Sequence, residues 1–164
     1  MMRTFHFFPL QRQDSQRRRI FCLLAGLALM LVSLLNVASP AYADPLTGCA
    51  VVGWGSNFYG ALNAPADLTD ILEIEAGYAH SLALKTDGTV VGWGDNGYGQ
   101  ATVPAGLVNV VAISAGNSHN LALKVDGTIV AWGGNSKGQL NIPAGLSNVK
   151  AISAGYNHSL ALKT

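Results

Sequence analysis

The chain has 164 residues, of which 49% are hydrophobic and 12% charged; this limits it to one modest domain and excludes a chain too polar to bury a core. Its formal charge of +1 hides an asymmetry: all five arginines lie at or before Arg19, and everything after it holds five lysines against eight acids. An acidic body without arginine excludes a phosphate-binding surface as its main feature.

Residues 1–43 read as an export signal. A basic stretch ending in Arg17, Arg18 and Arg19 precedes an apolar run from Ile20 to Ala38, and Ala41, Tyr42 and Ala43 form a small-x-small cleavage site before Asp44. The same run, residues 20–38, is also long enough to serve as an uncleaved N-terminal membrane anchor. Both alternatives place the remainder outside the cytoplasm, extracellular or in the cell envelope. Leu46 to Cys49 resembles a lipoprotein box, but Pro40, Asp44 and Pro45 separate it from the apolar run. With Cys22 in the leader, Cys49 is the single cysteine of the exported part, which excludes an intramolecular disulfide after cleavage.

From residue 48 to 164 the sequence is a repeat with a step of 39. Trp54, Trp93 and Trp132 recur at that step, as do His80, His119 and His158, Asn57, Asn96 and Asn135, and Pro65, Pro104 and Pro143. Fixed self-similarity at this length indicates a solenoid or propeller. Within one unit, residues 110–116 (VVAISAG) alternate and are β-branched, a strand closed by glycine. Residues 119–125 (HNLALKV) form the next strand, and Asp126-Gly127 is the signal for a two-residue type I′ hairpin loop. Residues 128–133 (TIVAWG) return antiparallel, and residues 135–140 (NSKGQL) are expected to bend into a short outer strand. Both faces of these strands are small or apolar, so each sheet needs cover on both sides, as in stacked propeller blades. The expected fold is all-β: a partial β-propeller of four-stranded blades built from three 39-residue repeats.

The pattern Ala-Gly, His, Leu-Ala-Leu-Lys, Asp-Gly, Trp-Gly, Asn and Gly-Gln, as in residues 115–140 (AGNSHNLALKVDGTIVAWGGNSKGQL), resembles the regulator of chromosome condensation repeat. WD repeats have a similar period but place Asp after Trp, where Gly55, Gly94 and Gly133 stand here. The short unit and the linker at residues 103–107 (VPAGL) are similar to the bacterial secreted branch, which includes β-lactamase inhibitor propellers that bind their enzyme through aromatic loop residues on one face. The resemblance covers 48–164 and implies a propeller. Members typically close with seven blades.

The recurring residues have structural roles first. One tryptophan per unit (Trp54, Trp93, Trp132) is a packing signature between blades. His80, His119 and His158, at a strand entrance, are expected to hydrogen-bond backbone at a blade corner. Successive blades spread them along an arc, which excludes a shared metal site. Lys85, Lys124 and Lys163 close strands at the solvent rim. Function is sought where the units differ: Tyr78, Asn117 and Tyr156 before each His, and Phe58, Tyr59, Tyr98 and Lys137 after each Trp-Gly. Variable aromatic and polar residues on rigidly held loops suit recognition of another protein. Glu73 and Glu75 replace small residues of the later units and share one strand face; they are expected to cap an open end without a blade against it.

No nucleophile–base pair, ligand cluster or phosphate loop is present, so no catalysis and no cofactor are expected. The leading function is a secreted or envelope-exposed module for protein–protein interaction. One alternative is an incomplete fragment of a larger propeller whose activity lies in missing sequence; another, implied by the family resemblance, is nucleotide exchange on a small GTPase or chromatin binding. The acidic balance argues against nucleic acid as a partner. Three units are fewer than a closed propeller needs, so self-association through split terminal blades is a further expectation.

Overall fold

The computed structural model describes residues 50–164; the leader 1–43, its apolar run 20–38, Cys22 and Cys49 lie outside the described residues. Within them there are eight strands and no helix, hence none long and apolar enough to cross a membrane. Strands β1 (Ile71–Ala76), β2 (His80–Lys85) and β3 (Val90–Gly94) form the first antiparallel sheet, in that order. Strands β4 (Val110–Ala115), β5 (His119–Lys124) and β6 (Ile129–Gly133) form the second, and β7 (Val149–Ala154) pairs with β8 (Ser159–Lys163) in a third. Equivalent registers repeat unit by unit: Ala83 faces Ile74 and Val91, and Ala122 faces Ile113 and Val130. Close approaches between sheets run from β1 to β4 and from β4 to β7, so the sheets fan out from the β1, β4 and β7 edge. This is a partial β-propeller.

The core lies between the sheets. Leu82, Leu84 and Val90 of the first pack against Val110, Ile113, Ala122 and Trp132 of the second, with Leu107 from the linker. Burying such aliphatic side chains stabilises by about 1.5–3 kcal/mol each. At the two ends of the stack the same positions face outward. Ile74 is 56% exposed where Ile113 is 4% exposed, and Leu160 and Leu162 are exposed where Leu121 and Leu123 are buried.

Three local features differ from expectation. The first two sheets have three strands and the last has two; the segments 57–62, 96–101 and 135–140 form no outer strand. The repeated asparagine is the cause: Asn96 Oδ1 accepts from the backbone N–H of Ala101 (3.0 Å) and Thr102 (3.1 Å), while its carbonyl accepts from Gly99 (3.1 Å). Asn57 and Asn135 make the same turns. A side chain that takes up local N–H groups competes with a strand ladder.

Secondly, the hairpin loops have three residues rather than two. Lys124 N–H bonds Thr128 O (2.9 Å), Gly127 N–H bonds Lys124 O (2.9 Å), and positive φ occurs at Gly127 (77°) but not at Asp126. That is a type I turn followed by a left-handed glycine, not type I′. The Asp126 carboxylate accepts from Thr128 N–H (3.0 Å), which holds the turn.

Thirdly, Glu73 and Glu75 do not cap an open end. Each lies across from Leu84 and Leu82 respectively, on the face turned toward the second sheet. Glu73 accepts from Ile113 N–H (3.3 Å) and Glu75 from Ala115 N–H (3.4 Å), edge donors of β4 that point away from β5. Ser114 Oγ does the same for Ala154 N–H (3.0 Å) at the next seam. The longer side chain performs a bond that a serine performs elsewhere. Burial raises the Glu75 carboxyl above its usual range, the Ala115 bond opposing.

Candidate functional site

Each sheet directs the turn between its first two strands toward one end, and the first two sheets direct the loop after their third strand the same way. Backbone bonds join the two segments: Asp95 N–H to Ala79 O (2.8 Å) in the first sheet and Gly134 N–H to Ser118 O (2.7 Å) in the second. A bond from Tyr78 N–H to Gly116 O (3.3 Å) joins the turns of neighbouring sheets. At this end Tyr78, Tyr98 and Tyr156 are 75%, 66% and 64% exposed. Lys137 is exposed and Asn117 half-buried in the corresponding places. Phe58 and Tyr59 are also exposed, and their rings meet edge to face with centroids 4.9 Å apart. Ala61, two residues on, binds the same end of the first sheet: its carbonyl accepts from Ser81 Oγ (2.9 Å) and Trp93 Nε1 (2.7 Å). The variable residues singled out above are therefore all presented at one end. The opposite end carries the hairpin loops with the ion pairs Lys85–Asp87 and Lys124–Asp126, both 3.5 Å.

Beneath the aromatic end lies a polar framework that the sequence pattern did not disclose. Gln100 is fully buried; its Oε1 accepts from Tyr98 N–H (2.8 Å), and its Nε2 donates to Asp95 (2.7 Å). Gln139 holds Lys137 N–H in the same way (2.9 Å). These glutamines recur at the step of the repeat, which is the signal by which their role could have been found; Ala61 stands there in the first unit. They are positioning residues for the loops above them.

The histidines also bind differently from expectation. His80 Nε2 meets Asn120 Oδ1 of the next sheet (2.7 Å), and His119 Nε2 meets Ser159 Oγ (3.1 Å). Both partners are side chains of the following repeat, not backbone at a corner. Asn120 in turn donates to Gln100 O (2.8 Å), the carbonyl that also accepts Trp132 Nε1 (3.1 Å). Burial lowers the pKa of both His80 and His119, so the rings are neutral at pH 7. Their Nδ1 atoms lie buried without a partner, against Gly77 and Gly116: a Cβ at Gly116 would stand 2.5 Å from His119 Cε1. The Ala-Gly-x-x-His spacing exists because the imidazole covers that glycine. His158, on the third sheet, is exposed.

Of the tryptophans, Trp93 and Trp132 are buried as expected, whereas Trp54 is 85% exposed. The Val51–Gly55 segment forms no strand, so Trp54 has no sheet to pack into. Among the described residues no group of three or more His, Cys, Asp or Glu is placed to hold a metal ion. The arrangement presents a mostly aromatic surface at this end of the stack.

The sequence profile of the regulator of chromosome condensation (RCC1) repeat matches residues 71–100 and 110–139, each match running from the first strand of a sheet to its buried glutamine. Solved structures with the same fold include yeast RCC1 (Prp20) bound to Kap60, 23% identical with a TM-score of 0.56, covering 67% of this chain and 37% of that one. The ectodomain of the receptor kinase CR4 from Physcomitrella patens is 25% identical with a TM-score of 0.56, covering 68% and 32%. Human WBSCR16 is 19% identical with a TM-score of 0.52, covering 66% and 39%. The chain thus spans less than two fifths of each of these proteins. No curated protein sequence matched.

Proposed function

We propose that this chain, built of regulator of chromosome condensation repeats, is an exported, non-catalytic module that binds another protein through its aromatic end. The observation that carries this is the alignment of exposed Tyr78, Tyr98 and Tyr156 at one end of the stack, over loops held by buried Gln100 and Gln139. Tyrosine supplies a large amphipathic contact with only two side-chain torsions to order, and rigid presentation lowers the entropy cost of binding. Export rests on the basic, apolar and Ala-Tyr-Ala order of residues 1–43, in keeping with the resemblance to the bacterial secreted branch. The yeast protein's partner does not transfer at 23% identity. The lack of arginine beyond Arg19 also disfavours the chromatin and GTPase roles implied by family analogy.

The test uses the full chain as bait against envelope and extracellular protein from its own source. A Tyr78→Ser/Tyr98→Ser/Tyr156→Ser variant, with unchanged melting temperature, is expected to weaken capture of the specific partner by at least roughly 100-fold, each buried tyrosine contact being worth about tenfold or more. Equal capture by wild type and triple variant overturns the assignment of this surface.

A further inference from the structure

We propose that Asn96-Gly97 is a self-modifying site: in the folded protein the Gly97 nitrogen attacks the Asn96 side chain, and residue 96 becomes aspartate or isoaspartate. The pair lies in the loop after β3, exposed to solvent.

The sequence holds one Asn-Gly pair, and it stands in the second of three equivalent turns. Asn57 and Asn135, one repeat to either side, are followed by Phe58 and Ser136. The turn itself does not demand glycine at 97. Its φ lies outside the left-handed region, and a Cβ there would meet only Asp95 Oδ1, at 3.6 Å, an ordinary contact. What glycine supplies is an unhindered nitrogen, since no side chain screens it from Asn96 Cγ.

Three groups stand around that pair, and each matches one need of the reaction. The Gly97 N–H donates to Asp95 Oδ1 (3.1 Å), so a carboxylate waits where the proton of the attacking nitrogen must leave. The other Asp95 oxygen accepts from Gln100 Nε2 (2.7 Å), and Gln100 is fully buried, which fixes the carboxylate. Ser56 and Gly134 stand at this position in the other units, and neither is a base. Negative charge develops on Asn96 Oδ1 as the nitrogen adds to Cγ. That oxygen already accepts from the backbone N–H of Ala101 (3.0 Å) and Thr102 (3.1 Å), a pair of donors placed as in an oxyanion hole. Asn57 and Asn135 take one such bond each, from Leu62 and Leu140. Finally, Asn96 Nδ2 donates to Thr102 Oγ1 (2.9 Å), and a hydroxyl can also give a proton. In the other turns the same nitrogen faces Asn63 Oδ1 (2.8 Å) or Asn141 Oδ1 (3.1 Å), amide oxygens with no proton to give.

In the first step the bond from Gly97 N to Asn96 Cγ forms and the Cγ–Nδ2 bond breaks. Asp95 takes the Gly97 proton. The leaving nitrogen takes the proton of the Thr102 hydroxyl and departs as ammonia, and solvent carries the proton from Asp95 back to Thr102. Water then opens the cyclic imide. Opening at Cγ leaves aspartate; opening at the main-chain carbonyl leaves isoaspartate, with one more carbon in the backbone. Both products place a carboxylate two residues before Tyr98.

The test incubates the full-length chain at neutral pH, folded and in urea, and follows residue 96 by peptide mass and by chromatographic separation of the aspartate and isoaspartate peptides. The variants Asp95→Ser and Thr102→Asn carry the residues of the equivalent positions Ser56, Asn63 and Asn141, so both are expected to keep the wild-type melting temperature. In the folded protein residue 96 is expected to convert while Asn57 and Asn135 stay asparagine. Each variant is expected to convert at least roughly tenfold more slowly, the scale of a lost general base or acid. In urea the three chains convert at one rate, because the groups are no longer assembled. A folded wild type in which residue 96 stays asparagine, or folded variants that convert as fast as wild type, overturns the proposal. So does a variant slowed by the same factor in urea, which would assign the effect to local sequence rather than to the fold.

Discussion

Asn120 links two sheets with one side chain. Its Nδ2 donates to Gln100 O, which only accepts, so its Oδ1 is the atom that meets His80 Nε2. An amide oxygen accepts only, so the proton of His80 is on Nε2 and the bare Nδ1 faces Gly77. Asn120→Ala leaves the imidazole N–H without its acceptor and strips Gln100 O of one of its two donors, inside the molecule. The expected loss is about 2–4 kcal/mol in urea unfolding, since each buried unpaired group costs about 1–3 kcal/mol. Asn120→Ser costs less, because Ser159 bridges His119 and Gln139 O in the neighbouring seam with a hydroxyl alone. Equal losses for the two substitutions would assign the cost to lost packing rather than to the bridge.

Among the elements, the hairpin loops distinguish two kinds of turn with the same letters. Gly127 holds φ at 77°, where a Cβ is strained, so Gly127→Ala is expected to destabilise by about 1–2 kcal/mol in thermal or urea unfolding. Asp126 has ordinary φ and its carboxylate caps Thr128 N–H, so Asp126→Gly lowers the melting temperature; a type I′ turn would instead welcome glycine there. The strands themselves were legible in the sequence, because alternation and the 39-residue step place β1 to β8 without reference to neighbours. The turn was not, because Asp-Gly serves both loop types and the third loop residue, Val125, has no signature of its own. The absent outer strand escaped for a related reason: hydrophobic pattern says nothing of Asn135 Oδ1 occupying the Leu140 N–H. Period two put Glu73 and Glu75 on one face correctly, but only the donors of β4 determine which face. The variable loops at the aromatic end could be picked out by their variation between units. Their glutamine supports and the histidine bonds could not, since those contacts depend on side-chain direction and, for His80, cross 40 residues into the next repeat.

Taken as a whole, the stack has two seams between three sheets, and a neutral histidine bridges each one. Burial holds the pKa of His80 and His119 below 6.5, so the unfolded chain binds protons that the folded chain refuses. Their contribution to stability is therefore complete above about pH 6.5 and is lost as pH falls toward their folded values. Glu75 acts with the opposite sign: its carboxyl is raised above 4.5, so its contribution is fullest below that pH and is lost as pH rises through its folded value. The two effects separate by substitution. Glutamine at either histidine position keeps an N–H donor for Asn120 or Ser159 without a titrating group. Urea unfolding between pH 8 and about pH 5.5 is expected to show a fall in stability for wild type, about half that fall in His80→Gln or His119→Gln, and little in the double variant. Halving follows because the two seams are separated by a sheet, and distant sites add. If the double variant retains the full fall, the protons enter elsewhere and the seams do not sense pH.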